Sequence, residues 1–374
     1  MMQSQEVSLS TKQKQIEWVN IAKGLTMIGI VVWHITYELP NHELFPLRTL
    51  LFHLNVFFVI GGFFTKEETL LQPVAYITRK YYTLYKKLLI FYIPAVLLHN
   101  FLFTIGFYDV ATEYGGRVIA TYGIIDYVKN VFLAILFSGR EPILGAMWFV
   151  YALFLAHCGF SVISWALRVL VRDNNHYEVI RCFIFFLLCV LAIQLKNIWG
   201  IYVPRGNASL YAIWLLYLGY QMRNRFNLQF RNIWLLAISL IIVYCVAIEA
   251  EMGGYDCSVD AVLFTVNTLA ATYVTCYIAR ILDNRRIGKA IAYCGRNSFY
   301  IMALHLFCFK LGTLLLSLFG IERSLSAERA PADGSFLLFC FYLVVGVVFP
   351  LLLVCCFRKV WALIASDEKD QEHE

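Results

Sequence analysis

Charged residues are scarce in this sequence. Lysine, arginine, aspartate and glutamate make up 15% of its 374 residues, whereas 60% are hydrophobic and the mean hydropathy is +0.67. A soluble chain carries nearer a quarter of charged residues. Apolar runs of about 20 residues recur instead, and each is long enough to cross the hydrocarbon core of a bilayer as a helix. These features predict an all-α, polytopic integral membrane protein, because a β-barrel would show short alternating strands.

The signatures of soluble enzymes are absent too. The sequence contains no P-loop, no GxGxxG, no HExxH and no GxSxG. Its 11 cysteines show no CxxC spacing and lie mostly within apolar runs, so we expect small hydrophobic side chains and neither a disulfide framework nor a metal site. The net charge of +6 does not indicate a nucleic-acid partner, because the basic residues flank the apolar runs as topology signals do.

About ten membrane-spanning helices are expected. Lysine and arginine are concentrated in segments that share one side of the membrane if the N-terminus is cytoplasmic, which predicts that both termini are inside. We therefore expect a cytoplasmic N-terminal tail over 1–15, a transmembrane domain over 16–357 and a cytoplasmic C-terminal tail over 358–374. The expected spans lie near 17–38, 46–64, 88–108, 144–167, 179–195, 208–222, 233–250, 258–281, 298–319 and 335–357.

Two connections between these spans are longer than a simple turn requires. Residues 65–87 mix aromatic and basic side chains at helical spacing, which predicts a cytoplasmic interfacial helix. The outer loop 109–143 contains the stretch IIDYVKNVFLAILF. This stretch predicts a second amphipathic helix that lies flat on the outer surface.

Lys23 and His34 place two polar groups inside the first span. At 100° per residue they point the same way on a helix, and they lie roughly 16 Å apart along its axis. Because polar groups are expensive in lipid, this shared face favours a functional site that reaches across the membrane. The alternative is a snorkelling lysine and an unrelated histidine.

His34 has a potential partner one helical turn further on. Glu38 lies on the same face, where a carboxylate could fix the tautomer of the imidazole and raise its basicity. A histidine with a pKa near neutral is a natural base for a hydroxyl proton. Alternatively, Glu38 simply faces water at the membrane surface.

Further histidines lie in other spans. His53 could meet His34 across the first helical hairpin, although a packed and hydrogen-bonded core histidine is the simpler interpretation. His305 belongs to a polar line through the ninth span, which is unusual in lipid. His99 and His157 have no obvious partners in the sequence, so we interpret them as structural.

Several sequence motifs follow one another in a recognisable order. The first is the pair Lys23 and His34, separated by ten residues in IAKGLTMIGIVVWH. The second is FHLNVFFVIGGFF, which contains His53. The basic segment ITRKYYTLYKKLLIFYIP comes next and contains Arg79 and Lys80.

Two more motifs complete the series. The aromatic stretch WFVYALF begins at Trp148, and GRNSFYIMALH contains Ser298 and His305. With about ten spans, this order resembles the membrane-bound acyltransferase family 3, especially its sugar O-acetyltransferase branch, from about residue 16 to 357. Lysine at position 23 stands where the family more often has arginine, and a glycine replaces the usual serine of the second motif.

The resemblance implies a reaction. Family members move an acyl group, usually acetyl, from cytoplasmic acyl-CoA to a hydroxyl of a carbohydrate, commonly a surface polysaccharide or its lipid-linked precursor. It implies that His34 is catalytic, either as a base or as a transient acyl carrier. Glu38 and His53 are the expected catalytic neighbours of this histidine.

The resemblance also implies where the donor binds. Lys23, Arg79 and Lys80 would meet the phosphates or the pantetheine arm of coenzyme A. Acyl-CoA is expected as a substrate that comes and goes, and no tightly held cofactor is expected. A bacterial plasma membrane is the expected location. Three further candidate site residues are Trp148, Ser298 and His305.

A transporter or flippase of a glycan or small molecule is the alternative, because it would also place polar residues inside spans. Such proteins often show two related halves with broken helices in matching positions. The sequence shows no such symmetry, and its candidate histidines concentrate in the first two spans and the ninth, which favours the enzyme. A third interpretation also stays open, in which the protein is a relative of this family whose acyltransferase pocket serves sensing or resistance.

Overall fold

The structure is a computed structural model that describes residues 2–36, 54–108, 119–139, 141–197, 200–201, 205–245, 261–325 and 335–371. Within these residues every regular element is helical, which confirms the all-α prediction. A π-helix (Tyr81–Tyr85) and a 3-10 helix (Pro142–Met147) accompany the α-helices. These α-helices are α1 (Met2–Thr36), α2 (Asn55–Phe63), α3 (Glu67–Leu70), α4 (Pro73–Lys80), α5 (Lys86–Leu97), α6 (His99–Thr104), α7 (Ile124–Ile135), α8 (Trp148–Leu170), α9 (Asn174–Asn197), α10 (Gly206–Asn224), α11 (Ile233–Cys245), α12 (Ala261–Leu282), α13 (Arg286–Arg296), α14 (Ser298–Leu318) and α15 (Phe336–Gln371).

Six described helices are long and apolar enough to cross a membrane. These six coincide with six of the expected spans, whereas the expectation of about ten spans is not confirmed. The expected third span is divided at Leu98 into α5 and α6. The six candidates are Glu17–Ile35, Pro142–Leu170, Asn174–Leu195, Ala261–Leu282, Ser298–Leu318 and Phe336–Phe357.

Helix α10 lies in the core of the bundle, because its side chains are buried around its whole circumference. It packs closely on α2 through two glycines. A Cβ added at Gly62 would collide with the carbonyl oxygen of Leu216, and one at Gly219 would collide with that of Val59. Gly62, the second of the two adjacent glycines in FHLNVFFVIGGFF, therefore allows this close helix packing.

Helix α13 packs against the middle of α1, around Asn20 and Gly24, again through glycines. A Cβ at Gly24 of α1 would collide with the carbonyl oxygen of Ile291. A Cβ at Gly295 of α13 would collide with the carbonyl oxygen of Asn20. The backbones of α1 and α13 are thus in direct contact, which fixes the register of the two helices beside Lys23.

Helix α7 forms where the outer-loop prediction placed a helix, and its position on the membrane surface stays a prediction. At its beginning, the ring of Tyr122 stacks on His99 of α6, with 3.5 Å between ring centroids. At its end, the hydroxyl of Tyr85, in the π-helix before α5, donates to the carbonyl of Ile135. Because its two ends meet opposite ends of α5, α7 runs antiparallel alongside that helix.

Arg181 is the centre of a buried ion-pair network. It lies within α9 and is fully buried. Its guanidinium is 3.0 Å from both carboxylate oxygens of Glu67 and 2.6 Å from Glu178. Three tyrosine rings also face this cation, those of Tyr177, Tyr217 and Tyr220. The contact ties α3 to α9 and so anchors the chain immediately before α4.

Candidate active site

Two histidines from opposite ends of the chain meet inside the bundle. The ring of His34 on α1 lies 5.0 Å from the ring of His305 on α14, measured between centroids. His305 is completely buried, and His34 is partly accessible. The structure therefore brings together the candidate residues of the first and last motifs, which 270 residues of sequence separate.

The glycine contact between α1 and α13 precedes both histidines in the sequence. Gly24 and Gly295 face each other where the two backbones touch. Gly24 approaches Ile291 whereas Gly295 approaches Asn20, so α1 and α13 run antiparallel. The chain leaves α13, passes through Asn297 and enters α14, which brings His305 to His34 on α1.

Hydrogen bonding fixes the tautomer of His305. Its Nδ1 lies 2.9 Å from the carbonyl oxygen of Ile301 and 3.1 Å from that of Met302. Carbonyl oxygens only accept, so Nδ1 carries the proton and Nε2 of the neutral ring is the acceptor. Nε2 is buried and has no hydrogen-bond partner among the residues that the structure describes. A buried acceptor is thus available beside His34.

The second part of the site is a group of cations around Lys23, which lies about three helical turns before His34 on α1. Lys80 at the end of α4 lies close enough to Lys23 that the two charges interact, and Arg79 adds a third charge. Both lysines are half-buried, whereas Arg79 is exposed. Burial first, and then the charges of Arg79 and Lys23, lower the pKa of Lys80 to about 8.

These lysines have no acidic counterpart in the part of the chain that the structure describes. No carboxylate there lies within ion-pairing distance of Lys23 or Lys80, whereas the buried Arg181 has two such partners. Half-buried positive charge without a counterion is unfavourable unless an anion is supplied from outside. The arrangement is therefore suited to an anionic ligand.

A chain of hydrogen bonds holds Lys80 in place. Its Nζ lies 3.1 Å from Nε2 of His157, and Nδ1 of His157 lies 2.8 Å from the hydroxyl of Tyr76. An ammonium group only donates, so Nε2 accepts and Nδ1 donates to Tyr76. The Tyr76 hydroxyl lies 3.4 Å from Thr65 Oγ1, which donates to the carbonyl of Gly61. Every donor in this chain has an acceptor.

The sequence shows no obvious partner for His157, whereas the structure places it between Lys80 and Tyr76. The buried His157 orients one of the candidate donor-binding lysines. The helical spacing of Tyr76 and Lys80, four residues apart, was the available signal, because it places both on one face of α4. Nothing in the sequence indicates that α8 presents His157 to that face.

The remaining predicted site residues are more scattered. Ser298 begins α14 and lies roughly 10 Å along the helix axis from His305. Trp148 begins α8, where its ring packs at 6.4 Å from that of Phe149. Glu38 and His53 lie outside the described residues, so their proposed contacts with His34 remain predictions.

These features define a bundle of membrane-length helices. A histidine pair lies inside it, and a group of cations surrounds Lys23, about three helical turns before His34 on α1. A family profile described as an acyltransferase domain matches residues 16–355. The chain therefore belongs to acyltransferase family 3, and it is an acyltransferase and an integral membrane protein. This confirms the resemblance seen in the motifs. Neither the curated proteins nor the solved structures yield a match to the chain.

Proposed function

We propose that this enzyme transfers an acyl group, most simply acetyl, from acyl-CoA to a hydroxyl of a carbohydrate such as a surface polysaccharide or its lipid-linked precursor. The protein would lie in a bacterial plasma membrane with both termini in the cytoplasm, where the lysine and arginine bias of its loops directs them. Coenzyme A would enter and leave as part of the substrate and the product.

The observation that carries this proposal is the presence of two complementary sites on α1. Lys23 and its neighbour Lys80 offer positive charge at one height, and His34 with His305 offers a base at another. The distance from Lys23 to His34 along the helix is roughly 16 Å. The pantetheine arm of coenzyme A contains about four peptide-length units and spans about 14 Å when extended, at about 3.5 Å per unit.

That match supports a binding mode for the donor. The phosphates of coenzyme A would neutralise Lys23 and Lys80, for which the described residues provide no carboxylate. The pantetheine arm would follow the polar face of α1, and the thioester would then lie beside His34. The acceptor hydroxyl would approach the thioester from the opposite side of the histidine pair.

The histidine pair supplies the chemistry in this scheme. The protonated Nδ1 of His305 leaves Nε2 to accept a hydrogen bond from a nitrogen of His34. The other nitrogen of His34 then removes the proton from the acceptor hydroxyl. The oxygen attacks the thioester carbonyl, the new C–O bond forms, and the C–S bond breaks. Coenzyme A leaves as a thiolate and takes up a proton to become the thiol.

His34→Ala tests the catalytic assignment. Membranes that contain the wild type or the variant are supplied with labelled acetyl-CoA, and surface glycans are analysed by mass spectrometry for added acetyl groups. Acetylation should fall at least 100-fold at an equal protein level, because a positioned base contributes about 10²–10⁴-fold. His176→Ala removes an exposed histidine and should have no effect. Unchanged acetylation in His34→Ala would overturn the assignment.

Lys23→Ala tests the donor site. The KM for acetyl-CoA should rise about tenfold, whereas the dependence on the acceptor should change little. Lys66→Ala removes an exposed cation from the same region and is the matched control. Lys23→Arg restores the residue that is commoner in the family and should keep donor binding. An unaltered KM for acetyl-CoA in Lys23→Ala would remove this residue from the donor site.

A further inference from the structure

A second buried polar cluster lies away from the cations, and its centre is Glu141. One carboxylate oxygen of Glu141 is 2.9 Å from Nδ1 of His99 and 2.6 Å from the hydroxyl of Tyr108. The other is 3.4 Å from the hydroxyl of Tyr122. Glu141 and His99 are each only 1% exposed. Together these residues join α6, the segment after it, the approach to α7 and the beginning of the 3-10 helix.

His99 cannot act as a base in this arrangement. Its Nε2 lies 3.0 Å from the carbonyl oxygen of Ala120, so that nitrogen carries a proton and donates. Its Nδ1 faces the carboxylate of Glu141. Tyr122 stacks on its ring at 3.5 Å with an angle of 3° between the planes. Both nitrogens are occupied and one face is covered, which leaves no room for a substrate.

The cluster nevertheless lies against the helix that carries His305. Phe107, next to Tyr108, packs on Phe307 of α14 with ring centroids 5.8 Å apart. The 3-10 helix that starts directly after Glu141 also packs on α14 with buried apolar side chains. Phe107 and the 3-10 helix therefore connect the cluster to α14, close to the histidine pair.

We propose that Glu141 and His99 are positioning residues for the acyl-transfer reaction. Their ion pair joins the segments around α6 and α7. Phe107 and the 3-10 helix, which adjoin this pair, then hold α14 so that His305 stays beside His34. A buried ion pair adds little net stability over apolar residues, but loss of one partner is strongly destabilising, so activity is compared per folded enzyme. The proposal rests on the proposed function, because His305 must be part of the active site.

Glu141→Gln removes the charge from the pair with little change in volume. The kcat per folded enzyme should fall 10- to 100-fold, because a misplacement of about 1 Å can cost about 100-fold. The KM for acetyl-CoA should stay within twofold, because the cations that bind the donor are far from the cluster. Lys129→Gln changes an exposed residue of α7 and is the matched control, with wild-type kcat expected.

Folded enzyme is quantified for each variant by size-exclusion chromatography in detergent. Should Glu141→Gln not fold, Tyr108→Phe tests the proposal instead. It removes one hydrogen bond to the Glu141 carboxylate and leaves the ion pair with His99 intact. We expect the kcat of Tyr108→Phe to be three- to tenfold lower than that of the wild type. A wild-type kcat in the variant that folds overturns the positioning role. Full transfer by His34→Ala instead overturns the proposed active site, so the two failures are distinguishable.

Discussion

Replacement of Gly295 by alanine should disable the enzyme although this glycine touches no substrate. The added Cβ would lie 2.8 Å from the carbonyl carbon of Asn20 and 2.9 Å from the nitrogen of Gly24, and nearer still to the Asn20 carbonyl oxygen. Carbon atoms in favourable contact are about 3.5–4.0 Å apart. Both neighbours belong to the backbone of α1 and cannot move alone, so α1 and α13 must separate by about 1 Å.

That separation is expected to reach the active site. Helix α1 carries His34, and α13 leads through Asn297 into α14, which carries His305. A misplacement of about 1 Å costs about 100-fold in rate, which corresponds to about 2.7 kcal/mol in the activation free energy. We therefore expect the kcat of Gly295→Ala to fall about 100-fold.

The assay compares glycines that tolerate a methyl group to different degrees. An alanine at Gly312 would lie 3.0 Å from a side-chain methyl of Val345, and one at Gly123 would lie at an ordinary 3.6 Å from Asp126. Acetyl transfer in membranes, corrected for folded protein, should decrease in the order Gly123→Ala, Gly312→Ala, Gly295→Ala, with the first equal to wild type. Wild-type kcat in folded Gly295→Ala would refute the idea that this contact sets the register.

Three further predictions concern the charged groups. The KM for acetyl-CoA should rise several-fold between about pH 7 and pH 9, because Lys80 loses its charge as the pH passes its pKa of about 8, and Lys80→Arg should flatten this profile. His157→Phe should raise the same KM about tenfold and leave kcat within twofold, because Lys80 loses a hydrogen bond of about 1.4 kcal/mol. Glu67→Gln should lower the free energy of unfolding in detergent by about 2 kcal/mol, because it leaves part of the buried charge of Arg181 uncompensated, whereas Arg172→Ala should not change it.

The helical class and six of the membrane-length helices could be predicted from the sequence, because a long apolar run in lipid must satisfy its own backbone hydrogen bonds. The packing of α7 along α5 could not be predicted from the sequence. The tyrosine contacts that hold α7 against α5 join residues far apart in the sequence.

In the candidate site, too, some features could be predicted from the sequence and others could not. The spacing of Lys23 and His34 on α1 is a local property, so periodicity alone places them on one face. The partnership of His34 with His305 depends on how α1 packs against α14, a contact between distant parts of the sequence that periodicity does not reveal. The motifs indicated that His305 matters, and only the fold shows that it faces His34.

Two groups of positive charge in this bundle differ in their surroundings, and the contrast supports the proposed donor site. Arg181 is surrounded by carboxylates of Glu67 and Glu178, so its charge is neutralised within the chain and its role is to join helices. Lys23 and Lys80 repel each other, and the described residues place no carboxylate beside them. A bound anion would relieve this repulsion and keep both lysines charged, whereas without one Lys80 loses its proton more readily. The lysines are therefore expected to be most stable with coenzyme A bound, and acetyl-CoA should raise the melting temperature of the wild type but not that of Lys23→Ala.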